Sequence, residues 1–292
     1  MATTTINAPP AAARPSRDSA LGWAWRNKTI VGGALILLAL LASAVLAPWL
    51  AGDPLQFEPI NRLKRPSEQF WFGTDRFGRD VYSRVVYGTR ISLIVGFSCA
   101  VLATAVGLVL GVLCGYYKRV DAIVMRIMDG MMAIPAILLA IALITLMKAS
   151  LLIVIVAISI PEIPRVVRLV RSVVLSVRAR PYIEAAIASG TRNGKIMVRH
   201  ILPNTVAPLI VQATYVCASA ILTEAGLSFL GAGTPPEIPS WGNIISDGRT
   251  FFQIAPWIIF FPGVLLAITV LAINLVGDGL RDTLDPRIAR RM

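Results

Sequence analysis

The chain has 292 residues, of which 56% are hydrophobic and 15% are charged, and its mean hydropathy is +0.71. Soluble domains carry about 25% charged residues, so this composition excludes a secreted disulfide-rich domain, a disordered chain and an ordinary soluble enzyme. It predicts an integral membrane protein, in which the formal net charge of +12 bears first on orientation in the bilayer and not on nucleic acid binding.

Apolar runs of about 20 residues, the length that crosses a bilayer as a helix, recur along the chain. We predict an all-α polytopic fold with six transmembrane helices. The candidate spans are Thr29–Leu50, Ile91–Tyr116, Gly130–Met147, Ala149–Pro164, Thr205–Thr223 and Ile254–Val276. The fourth run is short and contains Pro161, Glu162 and Pro164, so a re-entrant segment is an alternative there. Valines and arginines alternate at helical spacing after it, which predicts that this span continues as an amphipathic helix outside the membrane.

The predicted organisation follows from these spans. We divide the chain into a disordered N-terminus (1–28), a first helix with a periplasmic segment (29–90), a core transmembrane domain (91–278) and a C-terminal tail (279–292). Six spans place both termini on one side, where 19 Lys and Arg residues lie against 9 on the other side. The positive-inside rule therefore predicts that both termini are cytoplasmic.

A helix, a break and a second short helix are predicted in the cytoplasmic stretch 181–203. Pro181 suits a first helical turn, Glu184 favours the positive end of the helix dipole, and Gly190 supplies a left-handed stop. Leu202 and Pro203 are expected to end the second helix just before the fifth span. Such a pair has the shape of a docking element for another protein, and an amphipathic pair lying on lipid headgroups is the alternative.

The same stretch carries a family resemblance. Glu184, Ala185 and Ala186, followed by Gly190 and then by Leu202–Pro203, resemble the EAA loop of bacterial binding-protein-dependent ABC transporter permeases. The general pattern has Ile where this chain has His200, a departure that is usual in the peptide and nickel branch. Three further stretches resemble the second permease subunit of dipeptide, oligopeptide and nickel importers: residues 72–84, residues 224–231 with Trp241–Gly242, and residues 274–287.

The resemblance implies a type I ABC importer permease fold in the bacterial inner membrane. It implies that the EAA loop forms coupling helices that contact a cytoplasmic ATPase, with Glu184, Ala185, Ala186 and Gly190 at the contact and Leu202 and Pro203 at the return to the membrane. The implied partners are a homologous second permease, two ABC ATPases that use ATP and Mg²⁺, and a periplasmic solute-binding protein. The implied cargo is a dipeptide, an oligopeptide, a nickel chelate, glutathione or a related small solute.

Two sets of residues inside the spans stand out. Gly107, Gly111 and Gly115 follow one another at intervals of four, a repeated G-x-x-x-G pattern that favours close helix packing over a ligand site. Glu162 and Glu224 lie at predicted membrane edges and are candidates for the pathway or a gate. The alternative to a functional role is that both acids simply reach water from the membrane edge.

Charged residues also cluster before the second span. Asp75, Arg76, Arg79, Asp80 and Arg84 lie at spacings that allow pairs three and four residues apart, so we predict a salt-bridged surface helix. The alternative is a contact with the binding protein or with the other permease.

The sequence contains no catalytic or metal-binding motif. Gly190 and Gly194-Lys195 lack the spacing and the Ser or Thr of a P-loop, so we expect ATP hydrolysis to reside in a separate subunit and this chain to bind no cofactor. Cys99, Cys114 and Cys217 lie in apolar runs and are expected to be small buried hydrophobes. Two rival functions are a secondary transporter, which would require ionisable groups in the middle of at least two spans, and a membrane scaffold without transport.

Overall fold

The computed structural model describes residues 28–284, and within this range the regular secondary structure is helical. The predicted N-terminus up to residue 27 and the last eight residues of the predicted C-terminal tail lie outside the described residues, whereas residues 279–284 of that tail belong to the last helix. The α-helices are α1 (Lys28–Leu50), α2 (Val81–Tyr116), α3 (Lys118–Met132), α4 (Ala136–Met147), α5 (Leu151–Arg178), α6 (Pro181–Ala188), α7 (Asn193–Ile196), α8 (Leu202–Phe229), α9 (Trp241–Gly248) and α10 (Trp257–Leu284). A π-helical turn, Met197–Ile201, connects α7 to α8.

Four helices of the described chain are long and apolar enough to cross a membrane: Lys28–Leu50, Val81–Tyr116, Asn193–Phe229 and Trp257–Leu284. Helices α3 and α4 are bent by 90° at the break between them and count as a fifth span only if the bent pair crosses together. The predicted count of six is therefore not confirmed. The difference lies in α5, whose apolar first half runs into Glu162, Arg165 and Arg168. It lies also in the predicted third span, Gly130–Met147, which the break between α3 and α4 interrupts.

Helix α5 is continuous from Leu151 to Arg178 although it contains Pro161 and Pro164. This continuity does not support a re-entrant segment. The amphipathic character predicted for this continuation is confirmed, because most valines of its second half are buried while the side chains of Arg165 and Arg168 are 43% and 46% exposed. Its location outside the membrane stays a prediction. The apolar side of α5 faces α2.

Close approach between α2 and α5 depends on three glycines. A Cβ atom built on Gly107 would lie 2.5 Å from Val166 Cβ, and one built on Gly115 would lie 2.5 Å from Val174 Cβ. A Cβ on Gly111, between them, would lie 2.6 Å from Val170 Cβ. Real Cβ atoms do not approach so closely, so glycine at these three positions allows the valines of α5 to pack against the backbone of α2.

Asp75, Arg79 and Arg84, which precede or begin the second span, form a buried ion cluster, so the predicted surface helix is wrong for them, whereas the side chain of Arg76 is 42% exposed. Asp75 and Arg84 are fully buried. Asp75 accepts hydrogen bonds from Arg79 at 2.6 Å and from Arg84 at 2.8 Å, and Asp247 of α9 accepts from Arg79 at 2.9 Å and from Arg84 at 3.0 Å. Asp80 is the N-cap of α2, which begins ten residues earlier than the predicted span. The cluster attaches the segment before α2 to α9.

Candidate functional site

Helix α6 begins and ends as the sequence predicts. Pro181 occupies its first turn, together with Glu184. At its C-terminus Gly190 has a φ of +75°, its N–H donates to the carbonyl of Ile187 at 2.9 Å, and the N–H of Thr191 donates to the carbonyl of Ala186 at 3.1 Å. These two bonds and the positive φ define a Schellman motif, in which glycine is the preferred residue.

The second half of the loop differs from the prediction. Helix α7 has only four residues, and the π turn passes directly into α8, where the N–H of Leu202 donates to the carbonyl of Met197. Leu202 and Pro203 therefore do not end a helix. Pro203 is accommodated because it lies in the first turn of α8, where the hydrogen-bond register is already changing.

Burial divides the loop into an inner and an outer face. Ile183, Ile196 and Ile201 are fully buried and attach the loop to the core of the protein. Glu184, Ala185, Gly190 and Pro203 are exposed, whereas Ala186 and Leu202 are half-buried. The proposed coupling residues of α6 thus lie on or beside its outer face.

Three exposed apolar side chains in the loop were missed from the sequence. Tyr182 is 43% exposed, Ile187 is 47% exposed and Val198 is 65% exposed. Ile187 follows the buried Ile183 by one helical turn, so periodicity alone predicts that both are buried. The only indication in the sequence that Ile187 is exposed was its position three residues before Gly190, where the helix ends.

Tyr116, at the end of α2, connects the last residue of α5 to α7. Arg178 donates to the carbonyl of Tyr116 at 2.8 Å, and its guanidinium lies 5.1 Å from the ring centroid. The hydroxyl of Tyr116 donates to Oδ1 of Asn193 at 2.7 Å. The position of α7 is therefore fixed by a hydrogen bond from α2 as well as by the segments that precede and follow α7 in the chain.

Tyr116→Phe is expected to loosen α7 without unfolding the protein. It removes one hydrogen bond, worth about 0.5–1.5 kcal/mol, so we expect faster amide exchange across residues 190–196 by hydrogen–deuterium exchange mass spectrometry. The adjacent, more exposed Tyr117 provides the matched control, and Tyr117→Phe should leave that exchange unchanged. Equal exchange in the two variants would contradict the role assigned to the Tyr116 hydroxyl.

Glu162 and Glu224 are both buried, with exposures of 4% and 0%, so neither reaches water from a membrane edge in this structure. Oε1 of Glu162 accepts from Arg165 at 2.8 Å and from Ser219 at 3.1 Å. Oε1 of Glu224 accepts from Ser228 at 2.8 Å. Within the described residues, Oε2 of each acid is buried and has no hydrogen-bond partner.

The structure does not bring these acids together with the coupling loop. Glu162 precedes the end of α5 by 16 residues, about 24 Å along that helix at 1.5 Å per residue. Glu224 follows Leu202 by 22 residues, about 33 Å along α8 at 1.5 Å per residue, so it lies at the opposite end of that helix. Among residues 28–284, no group of three or more His, Cys, Asp or Glu side chains is arranged to hold a metal ion. Cys99, Cys114 and Cys217 are buried and free, as expected.

The fold is similar to that of a solved transporter. The chain superimposes on the MetNI methionine ABC transporter in an inward-facing conformation with a TM-score of 0.56 and 22% identity, over 69% of this chain and 96% of that one. This likeness defines the fold as that of a type I ABC importer permease and confirms the predicted fold class.

The sequence comparisons show the family. A model described as "Binding-protein-dependent transport system inner membrane component" matches residues 107–290, and the chain belongs to this family. The recognition made from the EAA loop is confirmed, and the chain is a membrane permease subunit of an ABC transporter rather than an enzyme.

Named relatives cover most of the chain. It is 55% identical over 260 residues to "Probable peptide ABC transporter permease protein y4tQ" of Sinorhizobium fredii, with 89% of each chain covered. It is 45% identical to the dipeptide transport system permease protein DppC of Alkalihalophilus pseudofirmus, over 90% of this chain and 87% of that one. It is 40% identical to the glutathione transport system permease protein GsiD of Pectobacterium atrosepticum, over 90% of this chain and 88% of that one.

Proposed function

We propose that the chain forms half of the translocation pathway of an importer for peptides or a related small solute such as glutathione. The names of its relatives at 55%, 45% and 40% identity support this class of cargo. We propose a homologous second permease as the other half, a periplasmic solute-binding protein that delivers the cargo, and two cytoplasmic ATPases that bind ATP and Mg²⁺.

The outer face of α6 is the observation that carries the coupling mechanism. Ala185 and Ala186 add little bulk to this face, so a partner can approach the helix backbone closely, and the exposed Ile187 offers it an apolar contact. Glu184 adds one negative charge. We assign this face and Gly190 to the ATPase contact, with Leu202 and Pro203 at the connection to α8.

The buried Ile183 makes the contact mechanically useful. Because its side chain is fully enclosed by the core, α6 cannot be displaced without also displacing the helices packed around it. Closure of two ATPases against their permeases would therefore be transmitted into the membrane domain.

The charge distribution supports an orientation for this contact. The stretch from Arg165 to Arg199 contains eight Lys and Arg residues, so the positive-inside rule favours a cytoplasmic location for the loop and for both termini. The membrane is then the bacterial inner membrane. The segment before α2 and the loop before α9 lie on the periplasmic side.

Glu162 and Glu224 are proposed pathway or gate residues. A carboxylate in the membrane with an unpartnered oxygen is costly to keep buried. A conformational change of the permease that exposes either oxygen to water, or to a cationic group of the cargo, would remove that cost. Their separation from α6 fits a gate that responds to coupling without touching the ATPase.

The test is ATP-driven uptake by the assembled transporter. We expect a tagged chain to capture its ATPases and, in proteoliposomes supplied with the binding protein, to support uptake of a labelled dipeptide that requires ATP. Glu184→Lys reverses the charge on the outer face and should reduce both ATPase capture and uptake about tenfold or more, the effect of about 1.4 kcal/mol at the contact.

Glu237→Lys is the matched control, since Glu237 is an exposed glutamate in the loop before α9. It should retain normal capture of the ATPases. Uptake driven by a proton gradient without any ATPase would instead establish a secondary transporter. Normal capture and uptake by Glu184→Lys would exclude the assigned contact.

A further inference from the structure

A groove runs between α1 and α2 and has a polar end and an apolar end. The polar part, about 280 Å³, is lined by residues that include Gln69, Trp71, Asp80 and Ser83. The apolar part, about 360 Å³, is lined by residues of α1, α2 and α10. Leu50 and Tyr82 line both parts, so the two parts adjoin each other.

The groove lies along membrane-spanning helices. From Leu50 down to Ile36, the residues of α1 that line it extend about 21 Å at 1.5 Å per residue, somewhat more than the roughly 15 Å of one leaflet of the hydrocarbon core. Neighbouring side chains of α1 point away from the protein, with Leu38 60% exposed and Val45 67% exposed. The medium around the groove is therefore lipid hydrocarbon.

Aromatic side chains mark the level of the polar end. Trp49, in the last turn of α1, is 79% exposed, and Trp71, beside the polar part, is 63% exposed. Tryptophan is enriched where a bilayer meets water. The polar part of the groove is thus at headgroup level and the apolar part is at acyl-chain level.

The charge of the polar end selects the headgroup. Among the described residues that line it, Asp80 is the charged one. Its Oδ2 accepts from the N–H and the hydroxyl of Ser83, at 2.9 Å and 2.6 Å, whereas Oδ1 accepts a longer bond from the N–H of Tyr82 at 3.3 Å. Oδ1 thus retains capacity to accept a hydrogen bond from an ammonium group, and the carboxylate disfavours a headgroup with net negative charge.

We propose that this groove is a binding site for phosphatidylethanolamine, with the primary ammonium at Asp80 and one acyl chain in the apolar part between α1 and α2. The bound lipid fills space between α1 and the rest of the bundle and so supports the docking of α1. The proposal rests on the membrane location of these helices and is independent of the cargo.

The experiment measures which lipids stay bound to the transporter. The native assembly, purified through a tag on this chain, is equilibrated with an equimolar mixture of phosphatidylethanolamine and phosphatidylglycerol that have identical acyl chains. It is then washed with detergent, and retained lipid is quantified by mass spectrometry. We expect the wild-type assembly to retain about fivefold more phosphatidylethanolamine, the scale of one partly exposed charge contact.

Two variants separate the headgroup contact from the acyl-chain contact. Asp80→Asn keeps an N-cap residue for α2 but removes the charge, so the two lipids should be retained equally. Ser43→Leu places a larger side chain in the apolar part, so retention of both lipids should fall to background. Asp53→Asn and Ala42→Leu, at exposed neighbouring positions outside the groove, should behave like the wild type.

Two results would overturn the proposal. One is equal retention of the two lipids by the wild-type assembly, and the other is unchanged retention in Ser43→Leu. A direct measurement distinguishes a lipid from a protein in the groove. A photoreactive group attached at Ser43→Cys should label lipid. Labelling of the second permease instead would show that protein fills the groove.

Discussion

Gly190→Val is expected to reduce ATP-driven uptake about 5- to 100-fold while the protein still inserts and folds. Gly190 has a φ of +75°, a conformation that is particularly unfavourable for a β-branched residue and costs about 1–3 kcal/mol. Relief of that strain would break the two hydrogen bonds that end α6 and would reorient its outer face. At about 1.4 kcal/mol per tenfold, the docking conformation becomes roughly 5- to 100-fold rarer, and uptake should fall accordingly.

Two companion variants show whether conformation is the cause. Gly190→Asn should retain most of the uptake, because asparagine tolerates a positive φ. Gly194→Val should also retain it, since Gly194 has no positive φ and no heavy atom within 4 Å of a Cβ built there. Uptake would be measured at matched amounts of membrane-inserted protein, and wild-type uptake by Gly190→Val would contradict the assignment.

Gly111→Leu is expected to give the largest loss of stability. A Cβ at this position would lie 2.6 Å from Val170 Cβ and 3.0 Å from the carbonyl oxygen of Val167, so α2 and α5 would have to separate. Overpacking costs about 1–3 kcal/mol, and each 1 kcal/mol moves the Tm of a large domain by about 2–4 °C, so we expect a decrease of about 2–12 °C. Thermal unfolding in detergent would measure it.

The same substitution at Gly130 is the control, because Gly130 is exposed and a Cβ there meets no heavy atom within 4 Å. Gly130→Leu should change the Tm little. The milder Gly111→Ala should recover stability when combined with Val170→Ala, since the two changes share one contact. Equal Tm values for Gly111→Leu and Gly130→Leu would show that the seam between α2 and α5 does not require glycine.

Local patterns in the sequence predicted the parts of the molecule that depend on near neighbours. The apolar runs locate α1, α8 and α10, and the glycine at 190 locates the stop after α6. The span count was less accurate, because hydropathy cannot tell whether a helix such as α5, with Glu162 and Arg165 in its interior, crosses a membrane or lies against other helices.

Contacts between distant residues account for what the sequence could not predict. Arg84 pairs with Asp247, 163 residues further along the chain, and nothing near Arg84 in the sequence indicates that partner. Local spacing therefore suggested a surface helix for Asp75, Arg79 and Arg84, which are in fact buried. The π turn was missed for a different reason. Pro203 normally marks a helix boundary, and the residues around it do not reveal that the hydrogen-bond register changes there.

The unbroken helix from Asn193 to Phe229 has a mechanical consequence. The 21 residues that follow Pro208 are about 31 Å long, so a tilt of this part by about 5° displaces one of its ends relative to the other by about 3 Å. Bending is easiest at π turns and prolines, and in this helix both the π turn and Pro208 lie near the end that carries the loop. The part after Pro208, which includes Glu224, therefore acts as a stiff lever whose far end amplifies small rotations made at the loop.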